Sequence, residues 1–389
     1  MRVPSLPIAA ISTAPIPPAA VRSVLVLTKH RYIGDTIVAT PLLRAARAVY
    51  PNARIRLAAG PAAAAVLEGF PDVDEVLTVD SPPGSPARSC IRAKLRQMLG
   101  LRRRDRPDVC LVADRSFGGA LAAWASGGRV RAGFETEGRG FLLTHPMPSE
   151  VGKHEAELCL DLLRALVPET TPGAYSAIPR IQVTREESVA ARTRLAEEGM
   201  ARDAILIGMQ PASKDAYTRE WSAERFAWVA DRLNESFGAR VVLLGAAGER
   251  RVAQRVAAEM RSAPPLILAG ETSIREALAL IDCCRLWIGN DGGLLHAAVA
   301  LGRATIGVFA AAKAVRWGYS GPRNRTLFVP VDTGCASVED TMRRGLDALT
   351  PEAVADAAAE LLGGADRSIR DPDRIDARNT SSQIGCMVS

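Results

Sequence analysis

Twice along this chain, short runs of β-branched and aliphatic residues alternate with longer Ala/Leu/Arg stretches at helical spacing. Few architectures satisfy that pattern. Strands apolar on both faces must be covered by helices on both sides, which an open parallel sheet in a doubly wound α/β unit provides. In the first unit, SVLVLT (23–28), ARIRLAAG (53–60) and DVCLVAD (108–114) read as strands. TIVATPLLRAARAVY (36–50) and KHEAELCLDLLRALVPE (153–169) read as helices, and SPPGSPARS (81–89) as a loop. The second unit repeats the plan with strands at 204–210, 239–245, 285–291 and 304–309 and helical patterns at 223–237, 248–261 and 273–283. A turn-rich stretch near 170–182 separates the two, so the expected organisation is a domain over 22–175 and a second over 176–336. A helical pattern over 337–364 follows, then a polar, charged tail (365–389) expected to be disordered.

At 389 residues, 48% hydrophobic and 24% charged, the composition is that of a globular protein with room for two cores. Apolar runs are broken by Arg, Gly or Pro before the roughly 18 residues a membrane-spanning helix needs. Residues 1–21 are apolar but carry five prolines, which suits an extended leader better than a signal peptide. Seven cysteines sit mostly in apolar runs without zinc-ligand spacing, as in the reduced thiols of a cytoplasmic protein. The net charge of +6 comes from Arg, clustered at 101–106. With only 5% aromatic residues the chain lacks the stacking side chains of a nucleic-acid binder. The cluster reads either as a solvated helix end or as a patch for an acidic acceptor or an anionic membrane surface.

In open parallel sheets ligands bind where strands end and helix N-termini begin. Four such junctions carry suggestive residues. TKHRYIGD (28–35) places Gly34 at a turn and Asp35 at a helix start, where Asp serves equally as an N-cap or as a catalytic base. PASKDAYTREWSAERF (211–226) offers Ser213, Lys214 and Arg219 to phosphate oxygens, with a surface ion pair to Glu220 or Glu224 as the alternative for Arg219. Trp221 and Phe226 look like core. LLGAAGERRVA (243–253) places Glu249 where an acidic side chain could accept from ribose hydroxyls, or merely complement a helix dipole. IGNDGGLLHAAVALG (288–302) ends a strand at Asp291 and starts a small-residue helix through Gly292, Gly293 and Leu294, with His296 one turn in. That is the form of an anion-binding helix N-terminus suited to a diphosphate. Asp72-Val-Asp74 and Asp371-Pro-Asp373 have a DxD form but lie in a turn before a strand and in the tail, and are read as no metal site.

Taken in order, the segments VLVLTKHRYIGDTIVATPLLRAARAVYPNARIRL, PDVDEVL, KHEAELCLDLLRAL, REWSAERFAWVADRL, ARVVLLGAAGE, LAGETSIREALALIDCCRLWIGNDGGLLHAAVALG and AVRWGYSGP resemble the lipopolysaccharide heptosyltransferases. The resemblance runs from about Val24 to Phe328. It implies the GT-B fold, two Rossmann-like domains facing across a cleft, and an inverting transfer needing no cofactor or metal. It implies Asp35 as general base, Arg219 stabilising the leaving group, and Gly34, Ser213, Lys214, Glu249, Asp291, Gly292, Gly293, Leu294 and His296 around an ADP-heptose donor. The implied acceptor is a hydroxyl of lipopolysaccharide inner core or another glycan, met in the cytoplasm or at the inner face of the membrane, with no nucleic acid involved. A small-molecule acceptor, and a non-catalytic sugar-nucleotide binder, are the alternatives. Three departures stand out: Met209-Gln210-Pro211-Ala212 replaces a His-Pro-Gly-like segment, Arg219 replaces the frequent Lys before the Trp, and Gly292 replaces the usual Ser or Thr.

Overall fold

The computed structural model describes residues 16–29, 32–78, 87–168, 175–213, 216–332, 334 and 337–368. The expectations for residues 1–15, for Lys214 and for the tail from 369 lie outside the described residues.

The first domain holds β1 (Ser23–Leu27), β2 (Arg54–Ala59), β3 (Glu75–Thr78), β4 (Val109–Val112), β5 (Val130–Phe134) and β6 (His145–Met147). They form one parallel sheet in the order β3-β2-β1-β4-β5-β6. The second holds β7 (Leu206–Gln210), β8 (Arg240–Leu243), β9 (Leu266–Ile267), β10 (Leu286–Asn290), β11 (Ala304–Val308) and β12 (Asn324–Leu327). Their parallel order, β12-β11-β10-β7-β8-β9, is the same winding seen from the other edge. Each sheet therefore has a topological switch point, between β1 and β4 and between β7 and β10, and such crevices are where doubly wound sheets bind ligands. The expectation of two Rossmann-like α/β domains is met.

The central strands β1, β4, β7, β10 and β11 are buried at every residue. That burial on both faces is why their sequences run apolar rather than alternating. The strands absent from the sequence reading are β5, β6, β9 and β12, while β3 follows Asp72-Val-Asp74 as a strand after a turn. The outer strands β3, β6, β9 and β12 are at most four residues long and only partly buried, and β6 contains Pro146, which an edge tolerates.

Two helical expectations are corrected. The pattern at 36–50 is two helices, Ile33–Val38 and Thr40–Val49, with Pro41 in the first turn of the second. The pattern at 337–364 is also two, Val338–Ala348 and Pro351–Ser368, because the residue before a proline is pushed out of helical geometry. Far from forming a separate segment, this pair contributes Leu346, Leu349, Val354 and Ala358 to the core that contains Trp221 and Phe226. The indole of Trp221 donates to the Leu349 carbonyl at 3.1 Å and packs edge-on against Phe226, so both aromatics are core, as expected.

The two domains are joined by more than the chain. One apolar cluster runs from Val24, Val26 and Leu42 of the first to Leu278, Trp287 and Leu294 of the second. The connecting segment touches both, with the Arg180 amide donating to Thr40 Oγ1 and the Ile181 amide to the Ala300 carbonyl. Arg316 of the second domain donates to Glu155 Oε2 of the first at 2.8 Å, and Arg115 pairs with the other oxygen of the same carboxylate.

Candidate active site

A cleft of about 930 Å³ lies between the domains. Lining it are Gly34, Asp35, Ser213, Arg219, Glu249, Asp291, Gly292, Gly293, Leu294 and His296, which is every sequence-derived site residue within the described residues. Four loops separated by up to 262 positions are thus brought to one cavity by the two switch points.

From the first domain comes Asp35. It is not a helix cap: the helix begins at Ile33, Tyr32 is its N-cap residue, and no side chain caps it. Asp35 instead occupies the third position of the first turn, with Lys29 Nζ 3.8 Å from its carboxylate. Burial raises its pKa from 3.8 to about 6; Lys29 opposes the rise, while the Glu155 and Asp114 carboxylates add to it. Asp114 is kept ionised by a buried ion pair with Lys94 at 3.1 Å and by the Ser116 amide, so a fixed negative charge stands near Asp35.

From the second domain comes the N-terminus of helix Gly293–Ala300, whose first amides have no side-chain cap. Asp291, at the end of β10, is buried, and burial raises its pKa while Arg219 and Lys313 pull it down. Arg219 Nη1 lies 3.7 Å from Asp291 Oδ2, not against Glu220 or Glu224. Glu220 instead accepts from the Ser213 amide at 3.1 Å, fixing the loop after β7. Lys313 is depressed by burial and by Arg219 and Arg316. Three cations therefore crowd one wall of the cleft.

His296 is nearly fully buried, and burial with the nearby His154 lowers its pKa to about 3. It is neutral. Its Nδ1 is 3.0 Å from the Tyr319 hydroxyl, and its ring packs against Trp317 and Tyr319. Nε2 is 3.9 Å from Asp291 Oδ1, beyond hydrogen-bond range. Glu249 Oε2 accepts from the Ala246 amide at 2.9 Å and from Gln210 Nε2 at 3.1 Å, so one of its oxygens holds its own turn.

Glycines make the domains meet. A Cβ on Gly34 would lie 3.0 Å from His296 Cδ2, and one on Gly293 would lie 2.5 Å from Ile33 Cγ1. The helix starts at Ile33 and Gly293 thus touch across the interface, which only unbranched backbone permits. Sequence reasoning missed Lys29, Gln210, Lys313, Arg316 and Trp317 in the lining, and Glu155 and Tyr319 behind it. Only the segment AVRWGYSGP hinted at the last group.

A sequence model of glycosyltransferase family 9 (heptosyltransferase) matches residues 92–343. The chain belongs to glycosyltransferase family 9. Among similar proteins, lipooligosaccharide heptosyltransferase 2 of Haemophilus ducreyi is 26% identical over 282 residues, covering 70% of this chain and 78% of that protein. Lipopolysaccharide heptosyltransferase 2 of Salmonella typhimurium is 28% identical over 292 residues, covering 72% and 80%. The family 9 glycosyltransferase structure from Veillonella parvula superposes with a TM-score of 0.75 at 21% identity, over 89% of this chain and 98% of that one. The E. coli ADP-heptose lipopolysaccharide heptosyltransferase II structure gives 0.67 at 24%, over 88% and 99%. These establish the two-domain GT-B architecture and a glycosyltransferase. The family match takes in Ser213 through His296 but begins after Asp35, whose role therefore rests on geometry.

Proposed function

We propose that this family 9 enzyme transfers heptose from ADP-heptose to a hydroxyl of lipopolysaccharide inner core or a similar lipid-linked glycan, with inversion and without a metal. The observation that carries the reading is that one cleft joins a buried carboxylate from the first domain to an uncapped helix N-terminus and three cations from the second. The names of the similar proteins supply the sugar and the acceptor class.

In this mechanism Asp35 takes the acceptor proton as the hydroxyl attacks the anomeric carbon and the bond to the diphosphate breaks. A pKa near 6 keeps it ionised at neutral pH yet more basic than an exposed carboxylate. Arg219, Lys313, Arg316 and the amides at 292–294 receive the negative charge of the departing ADP. With Nδ1 hydrogen-bonded to Tyr319, the neutral His296 leaves Nε2 for the donor. Glu249 keeps Oε1 for ribose hydroxyls.

A thermal-shift panel of ADP-, UDP- and GDP-heptose tests the donor. A ligand at 100 times its dissociation constant stabilises by about 2.7 kcal/mol. ADP-heptose is expected to give that shift and the other two little. Preference for a UDP or GDP donor would overturn the assignment.

A further inference from the structure

Two helices of the first domain, Ala87–Arg104 and Phe117–Ala125, lie side by side on the sheet face that carries Leu25, Leu27, Cys110 and Val112. Neither contains an Asp or Glu, in a chain that holds 43 of them. On the outer face of the first helix Arg92, Arg96, Leu99 and Arg103 follow at helical spacing, all exposed. On the second, Phe117 and Trp124 are exposed, at 40% and 49%, while Leu121 between them is partly buried against the core. Phe141, 53% exposed, lies with its ring centroid 6.2 Å from that of Phe117. The basic and apolar rows are contiguous. Arg102 lies along Gly127, where an added Cβ would meet its Cγ at 2.9 Å, and the Gly127 amide closes on the Trp124 carbonyl.

Asp105 pairs with Arg56, while Glu137, which accepts from the Phe117 amide, and the exposed Glu135 beside Gly140 sit at the Phe117 end of the face, so its basic character is confined to the first helix. The second helix is anchored near Asp35's surroundings, since its N-cap Ser116 donates its amide to Asp114, a carboxylate whose charge Asp35 feels.

We infer that this two-helix face is a docking surface for an anionic lipid bilayer, with the arginines at the headgroups and Leu99, Trp124, Phe117 and Phe141 in the interface. Charge complementarity selects the occupant. Aromatic and aliphatic side chains beside a row of arginines suit the boundary between headgroups and acyl chains, and a helix with basic and no acidic residues is attracted to anionic lipid. The inference extends the lipid-linked acceptor proposed above, but its test needs neither donor nor turnover, so the two can fail separately.

The full chain is sedimented with vesicles of phosphatidylglycerol and phosphatidylethanolamine, and with phosphatidylcholine vesicles, at low ionic strength. Binding is expected to the anionic vesicles only, with a blue shift of tryptophan emission. Each arginine near such a surface contributes about fivefold in affinity, so replacing Arg102, Arg103 and Arg104 with Gln should weaken binding about a hundredfold. Trp124→Ser should remove most of the blue shift. A control replacing Arg185, Arg202 and Arg232, exposed on the second domain, should bind nearly as wild type. Equal loss in the control, equal binding to both vesicle types, or capture by a soluble polyanion but not by vesicles would overturn the inference.

Discussion

A buried carboxylate held at a raised pKa strains the fold, and that makes Asp35→Asn informative beyond activity. The native Asp35 pKa of about 6 against an unfolded 3.8 means that the native state binds more protons between those values. Stability attributable to this group therefore falls as pH rises through the window, and the full penalty is present above it. The difference corresponds to about 3 kcal/mol, an upper estimate for a side chain that is 23% exposed. Asn has nearly the same shape and carries no charge. The variant should therefore be more stable than wild type by about 3 kcal/mol at pH 8, and by about half that at pH 5, where the wild-type carboxyl is mostly protonated in the native state. Urea unfolding at both pH values measures this. The same variant should lose about 10² to 10⁴ in turnover while ADP binding persists. A stability gain that does not grow with pH would show that Asp35 is not held at a raised pKa. Near-normal turnover would show that it is not the base.

Arg219→Ala should weaken ADP binding and slow transfer by about 10² to 10³, because the cation nearest Asp291 is lost from the leaving-group wall; isothermal titration with ADP and steady-state kinetics check both, and unchanged values refute the role. Glu155→Gln removes a carboxylate that raises the Asp35 pKa and leaves Arg115 and Arg316 uncompensated, so the acid limb of kcat/KM against pH should move to lower pH. A limb that stays put, in a variant shown to be folded, would separate the interdomain ion bridge from the base.

What could be read from the chain alone follows from what is locally encoded. Strands buried on both faces declare themselves by unbroken apolar runs, so β1, β2, β4, β7, β8, β10 and β11 were legible, and with them both switch points. The short edges β6, β9 and β12 were not, since two to four half-buried residues carry no period; β3 was marked only by the turn before it. Asp35 was found as a site residue for a reason that proved incomplete. It looked like a cap because Gly34 reads as a turn, whereas the helix already runs through Gly34, which is there to let His296 of the other domain approach. Arg316 and Glu155 meet across the domain interface, and Lys313 meets Arg219 and Asp291 from loops far apart in sequence, so no local pattern announces such partners.

The departures from the family pattern at 210 and 292 look independent in sequence, and the structure joins them. A Cβ at Gly292 would lie 2.9 Å from Gln210 Oε1, so the side chain at 210 fills the space that a Ser or Thr at 292 would need. Gln210 in turn reaches Glu249, tying the loops after β7 and β8 together beneath the helix N-terminus. Its Oε1 is buried without a partner, a cost tolerated poorly in a dry interior but naturally met by a donor group from a bound ligand. The hydroxyl missing at 292 is thus exchanged for an amide at 210, on the same side of the helix start and aimed at the same cavity. In the proposed donor site the two departures therefore act as one coupled exchange, which leaves the first amides of the helix uncapped.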